Sequence, residues 1–437
     1  MSWLYRETTR RHLAVGLIIL LIPLAAASLV RGVSKALGRP CDFQNFWVSG
    51  QLVAEGQNPY RVWLEDKPQL RERAIPPGTC SDLEDLPVFN PPLLPLMMIA
   101  FSGLDFLPAR IIWLGLDIIM AILLPLLLMR LNPRPPSGQL QVISVLFFLT
   151  WLPVRYAISL SQTGLGAGFL AVLAVWLTYR ERPRWLLAGL LMGAALIKYT
   201  LTGPLLLFFL IYRRYRVVAV AVLVQVLAFI LFTLLVGDSL SEATHAYFAL
   251  LFQATGQSSG VVSLDGWLNT VGLSSSASAL IGLVASVVVT GLFIIPHYWH
   301  EALTPISDLS SPRGRLKGNL LITLLILVGL LFFYHRPYDL PLLFAFLAFA
   351  AGFDLPEDIT TPRGRMIMIL LISAVAVGLA MMLPGWWIGA AHPSLTVRDF
   401  FERFQFTVAG FLALAVSLWV LPRFDILMPP SGGQPDH

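Results

Sequence analysis

The stretch Leu13-Ala14-Val15-Gly16-Leu17-Ile18-Ile19-Leu20-Leu21-Ile22-Pro23-Leu24-Ala25-Ala26-Ala27-Ser28-Leu29-Val30 holds no charge, and the basic pair Arg10-Arg11 stands before it. A helix of about 20 such residues crosses the roughly 30 Å apolar layer of a bilayer. A basic start and the small residues Ala25-Ala26-Ala27 are also the form of a secretory leader. The remainder of the chain decides between the two. Apolar runs recur near 91–104, 109–130, 140–154, 163–179, 185–197, 200–212, 217–236, 277–296, 319–334, 340–353, 366–383 and 401–421. Residues 12–30 are therefore read as a retained signal anchor, and the chain as an all-α polytopic membrane protein of about 11–13 transmembrane helices.

Composition agrees. Hydrophobic residues make up 57% of the 437 and charged residues 13%, with mean hydropathy +0.74. So few charges cannot cover a soluble surface. No segment has the strict alternation of a β-barrel. The net charge of +5 gathers in short loops at Arg10-Arg11, Arg180 to Arg184, Arg213 to Arg216, Arg313 to Lys317 and Arg363 to Arg365. This is the positive-inside pattern of membrane proteins, not a nucleic-acid patch.

One membrane domain is expected over residues 1–427, with a Pro/Gly-rich disordered tail at 428–437. Residues 31–90 form the longest polar stretch, external if the N-terminus is inside. Counting every apolar segment as a crossing puts Arg180 to Arg184 and Arg213 to Arg216 outside, against the charge rule. If one early segment half-inserts, parity is restored. Gln162, Lys198, Asp238 to Ser276, His335 to Asp339 and Gly385 to Asp399 then share the side of Asp42, which is the topology expected here. Cys41 and Cys80 fall in that first loop, where a disulfide and two free thiols are both open readings. Pro-Arg-Gly-Arg occurs at 312–315 and 362–365, each before a span, and reads as a membrane-anchoring loop end.

Cys41-Asp42-Phe43-Gln44-Asn45-Phe46-Trp47-Val48-Ser49-Gly50 comes after the first span, and Gly56-Gln57-Asn58-Pro59-Tyr60 closes it off. Phe43, Phe46 and Trp47 recur at helical spacing, which predicts a short helix with one aromatic face lying in the membrane interface. Gly56 suits a left-handed stop, and Asp42 an N-cap-like position. Asp42 is either that cap or a carboxylate presented at the bilayer edge as a general base. Lys198 interrupts an apolar run, so it snorkels to headgroups or meets an anion such as a lipid phosphate. Tyr334-His335-Arg336-Pro337-Tyr338-Asp339 holds more hydrogen-bonding groups than a turn requires, and its cations suit a phosphate. Asp117 lies mid-span, as a functional carboxylate or a neutral packing residue, the latter preferred. Gln162 bonds a substrate or ends a helix. The sequence has no nucleotide-binding Gly-rich loop, no HExxH, no CxxC and no metal-ligand cluster. An activated donor must then arrive through the membrane or bind without a nucleotide fold.

These features resemble glycosyltransferase family 87, the polyprenyl-phosphate-mannose-dependent mannosyltransferases and their bacterial relatives. The likeness rests on Asp42-Phe43 through Gly56 and Pro59-Tyr60, on Asn90-Pro91-Pro92, on Gln162, on Ala188-Gly189 through Ile197-Lys198, and on His335 in a late external turn. It covers roughly residues 12–340. The chain departs from the family at Ser161, where the relatives carry glycine, at Thr163-Gly164, which replaces an asparagine context, and at Pro204, which comes late. The resemblance implies a GT-C bundle whose large first external loop carries interfacial helices. It implies transfer of a hexose, mannose in the family, from a polyprenyl-phosphate sugar to an envelope glycolipid or glycan, with inversion. Asp42 would be the base. Lys198, His335, Arg336 and Tyr338 would hold the donor phosphate, and Trp47, Tyr60, Gln162 and Asp339 would touch substrate. Neither metal nor other cofactor is expected, nor any nucleic-acid partner. The implied location is a bacterial inner membrane with the site on its external face. A flippase or transporter of a lipid-linked or anionic solute, and an inactive accessory subunit, are the competing readings. Asp117 and Lys198 suit the first, though the chain lacks the inverted repeats typical of transporters.

Overall fold

The computed structural model describes residues 7–38, 41–65, 90–134, 136–180, 184–255, 262–303, 309, 311–333, 335–356, 358–382 and 395–428. The state of Cys41 and Cys80, most of the first loop, Tyr334 and the tail beyond Met428 lie outside them. The described residues are helical, with no strand among them. Eight helices are long and apolar enough to cross a membrane, and nine if the bent pair Gly138–Leu149 and Leu152–Leu160 is one span. That pair turns by 64°. Pro153 opens its second helix and has no N–H to continue the first. Leu93–Ser102, Thr163–Thr178 and Pro337–Ala350 are shorter apolar helices. The protein is an all-α, multi-pass membrane protein.

The chain runs between two ends, one gathering Asp42 and the other the basic loops. Helices Cys41–Ala54, Pro59–Glu65 and Leu93–Ser102 gather at the first. Helix Leu93–Ser102 packs along Cys41–Ala54, so closely that a methyl group added at Gly50 would stand 2.5 Å from the Met98 carbonyl carbon. Phe43 near the start of one helix meets Phe106 just past the other, ring centroids 5.8 Å apart. At 10 residues Leu93–Ser102 is shorter than a membrane crossing. The aromatic face of Cys41–Ala54 departs from expectation. Phe43, Phe46 and Trp47 are buried against Phe106 and Trp113 rather than turned to lipid. Gly56 does take the left-handed conformation, with φ +79°, that lets the chain leave the helix.

A second irregularity makes the site. By length and composition Trp185–Ile211 counts as one span. Its packing shows two legs. A methyl at Gly189 would lie 2.5 Å from Val220 Cβ, and one at Gly193 2.7 Å from Val224 Cβ. Helices Trp185–Ala195 and Tyr215–Val236 therefore rise in parallel, in the close contact that small residues four apart permit. The chain between them must come back down. It does so through Tyr199–Thr202 and Leu206–Ile211, and Phe208 ends 6.1 Å from the ring of Tyr179 at the basic end. Lys198 is the apex of this hairpin, in the short 3₁₀ turn Leu196–Lys198.

Helix Pro312–Phe332 is the axis of the bundle, with 89% of its most apolar window buried, against 11% for the peripheral first span. Toward the basic end Tyr179 donates to Asn319 Oδ1 (3.1 Å), Asn319 to Asn132 Oδ1 (2.9 Å) and Asn132 to the Ala348 carbonyl (2.7 Å). The two Pro-Arg-Gly-Arg copies start Pro312–Phe332 and Pro362–Met382 in the same way. Ser311 Oγ accepts from the Gly314 N–H, and Thr361 Oγ1 from the Gly364 N–H. Their arginines grip the last of the described helices, Phe424–Leu427, and the residue after it. Arg313 donates to the Met428 carbonyl at 2.6 Å, and Arg363 to that of Leu427 at 3.1 Å.

Candidate active site

Asp42 sits in the first turn of Cys41–Ala54. Its carboxyl accepts a hydrogen bond from Gln162 Nε2, 120 residues away. Gln162 is held from both sides. Helix Leu152–Leu160 stops at Ser161 in a left-handed conformation (φ 53°, ψ 50°), and the Gln162 N–H returns to the Ala157 carbonyl at 3.0 Å. The Ser161 carbonyl accepts from the Trp113 indole at 3.0 Å, and the Trp113 ring packs on Phe43, one residue from Asp42. Glycine would take this left-handed backbone without steric cost, whereas serine is strained in it.

Across from Asp42 stands a cluster built on Asp339. Its Oδ1 lies 2.5 Å from Lys198 Nζ and its Oδ2 2.9 Å from His335 Nδ1. Lys198 Nζ also lies 4.7 Å from the centre of the Tyr338 ring, a cation–π contact. His335 is fully buried and its Nε2 has no partner among the described residues. Its backbone is fixed by the Val262 N–H, which donates to its carbonyl (2.9 Å), and by Ser263 Oγ, which accepts from its N–H (3.3 Å). Gly164 makes the meeting possible, because a methyl there would stand 2.8 Å from Asp339 Oδ1 and 3.7 Å from Lys198 Nζ.

Burial pushes the Asp42 carboxyl above its usual range. The Gln162 amide and the charges of Arg336 and Lys198 pull it back down, while Asp339 opposes them. The result is a carboxyl still raised overall, with a greater affinity for a proton than an ordinary carboxylate. Among the described residues no group of three or more His, Cys, Asp or Glu could hold a metal ion.

The structure thus gathers Asp42, Gln162, Lys198, His335, Tyr338 and Asp339, with Arg336 close enough to act on Asp42. It does not bring in Trp47 or Tyr60. The Trp47 indole donates to the Phe101 carbonyl at 3.2 Å, inside the seam with Leu93–Ser102. Tyr60 is buried against Phe232 and Tyr247, and its hydroxyl donates to the Asn90 carbonyl at 2.8 Å. Asn90 in turn donates to the Ile197 carbonyl at 2.9 Å, so Tyr60 braces the Lys198 apex from behind. Asp339 is tied to two side chains of the protein rather than left open for a sugar. Asp117 is buried one turn further from the site than Trp113, with one carboxyl oxygen unpartnered among the described residues. Sequence reading missed Trp113, Gly164 and Ser263. Gly164, two residues after Gln162, carried only a faint signal. Ser263, 72 positions from its partner His335, carried none.

No curated protein and no solved structure matches the chain. The family model of glycosyltransferase family 87 matches residues 89–353, a stretch that includes Gln162, Lys198, His335 and Asp339 and begins downstream of Asp42. That match spans more than half of the 437 residues, and the chain belongs to glycosyltransferase family 87.

Proposed function

We propose that this membrane glycosyltransferase moves a hexose, with mannose the first sugar to test, from a polyprenyl-phosphate carrier to a hydroxyl of an envelope glycolipid or glycan. The observation that carries the reading is the opposition of Asp42, with its raised proton affinity, to the cations Lys198 and Arg336. The acceptor oxygen attacks the anomeric carbon and its proton passes to Asp42. The bond from that carbon to the phosphate oxygen breaks, and its electron pair stays on the lipid phosphate. Lys198, Arg336 and the buried His335 offset the charge that gathers there. Attack from the face opposite the leaving group inverts the anomeric centre. Cationic side chains take the place that a metal ion holds in other transferases. The gathering of basic residues at the far end supports a cytoplasmic position for that end, hence an external position for the site, in a bacterial inner membrane.

The test uses the purified full-length chain, a radiolabelled polyprenyl-phosphate hexose and membrane acceptors. Wild type should transfer label, and Asp42→Asn should lose transfer by about 10²–10⁴-fold while still binding donor. Equal transfer by both proteins would remove Asp42 from the reaction.

A further inference from the structure

Arg110 is a buried cation that the proposed reaction does not use. It lies in the second turn of Phe106–Arg130, about 6 Å along the axis from the start of that span. On a helical period it shares the inward face with Phe106, Trp113 and Asp117. Phe106 and Trp113 both pack on Phe43, beside Asp42. Arg110 is 4% exposed. Among the described residues its Nε has no hydrogen-bond partner and no carboxylate pairs with its guanidinium. The guanidinium lies 5.6 Å from the centre of the Phe106 ring. That ring attracts the charge but offers no oxygen to its N–H donors.

A buried ion without a counter-ion is costly, and long arginines usually escape by extending to the headgroups. Arg110 stays covered, but by a thin layer. The Phe106 ring is only half-buried, and Leu107, next to Arg110 on the helix surface, is 55% exposed on the side of the lipid. The charges that bear on Asp42 come from Arg336, Lys198 and Asp339, so Arg110 stands apart from that cluster. We propose that Arg110 is a lipid-binding residue, whose ligand is the phosphodiester of an anionic phospholipid in the leaflet at the Asp42 end. Two oxygens of one phosphate match the fork of a guanidinium. The acyl chains lie along Leu107 and Ile111, the two exposed apolar residues that flank Arg110 in the span. The lipid completes the seam of Phe43, Phe106 and Trp113 behind Asp42, whichever sugar donor the enzyme uses.

The experiment takes the detergent-washed full-length protein, free of polyprenyl lipids, and titrates it with phosphatidylglycerol, phosphatidylcholine or inorganic phosphate. Thermal unfolding reads stabilisation, and native mass spectrometry counts retained lipid. Phosphatidylglycerol should raise the melting temperature of wild type more than phosphatidylcholine does, and inorganic phosphate should not reproduce the rise. Arg110→Met keeps an unbranched side chain and loses the charge. It should bind phosphatidylglycerol about tenfold more weakly and retain about one lipid fewer per chain. Without lipid it should melt no lower than wild type, because no protein partner is lost. Undiminished phosphatidylglycerol binding by Arg110→Met overturns the proposal. A lower melting temperature of that variant without lipid also overturns it and makes Arg110 part of the packing. Wild type stabilised equally by the two phospholipids, or as strongly by inorganic phosphate, overturns it with no variant needed.

Discussion

Asp42 is pulled two ways: burial favours its neutral acid, and the Gln162 amide favours its anion. As a base it must be ionised, so the rate should fall as pH drops through its raised pKa. Gln162→Leu removes the donor that holds this pKa down. The acidic limb of the pH–rate profile should then move to higher pH and the plateau rate should drop, and an unmoved limb would detach Gln162 from the base. Ser161 carries a conformational penalty in its left-handed backbone, and its buried hydroxyl has no partner among the described residues. Ser161→Gly should therefore stabilise the protein by about 1 kcal/mol, and Ser161→Val should weaken it, as read by thermal unfolding in detergent. Asp42, Lys198 and His335 were legible in the sequence because polar groups beside apolar spans are costly and stand out. Gly164 and Trp113 were not. One matters for the atoms it lacks, and the other resembles any aromatic residue of a span.

At the scale of helices, hydropathy located the segments but not their course. Residues 91–104 were visible as an apolar run; that they lie along Cys41–Ala54 depended on Gly50, whose contact with Met98 no periodicity reveals. The hairpin with Lys198 at its tip likewise depends on Gly189 and Gly193. Gly189→Leu should force Trp185–Ala195 off Tyr215–Val236 and cost about 1–3 kcal/mol, seen as lower yield of folded protein and an earlier melting transition. Asn319→Leu strips both sides of the Tyr179–Asn319–Asn132 relay. It should cost about 1–2 kcal/mol while leaving KM for the donor unchanged, because the relay lies toward the end opposite Lys198.

Over the whole molecule, the charge pattern and the folded chain agree on two ends, a basic one and a chemical one. A cysteine-free background permits a direct check. Arg134→Cys, at a side chain 89% exposed among the basic loops, should react with an impermeant maleimide only after cells are opened. His245→Cys, exposed on helix Leu240–Thr255 near Tyr60, should react in intact cells. The reverse pattern would turn the enzyme over in its membrane. The class of the protein was legible because composition is a whole-chain property. The pairing of distant residues such as Ser263 with His335 was not, because it arises only when the helices are assembled.

The twin arginine grips on Leu427 and Met428 have a practical outcome for anyone handling this protein. A fusion or affinity handle joined after His437 leaves both grips intact, whereas a chain cut back to Val420 strips two spans of their shared tether at once. Pro312–Phe332 and Pro362–Met382 would then be free to slide independently, and solubilised preparations of the shortened chain should age faster on storage than the full-length protein.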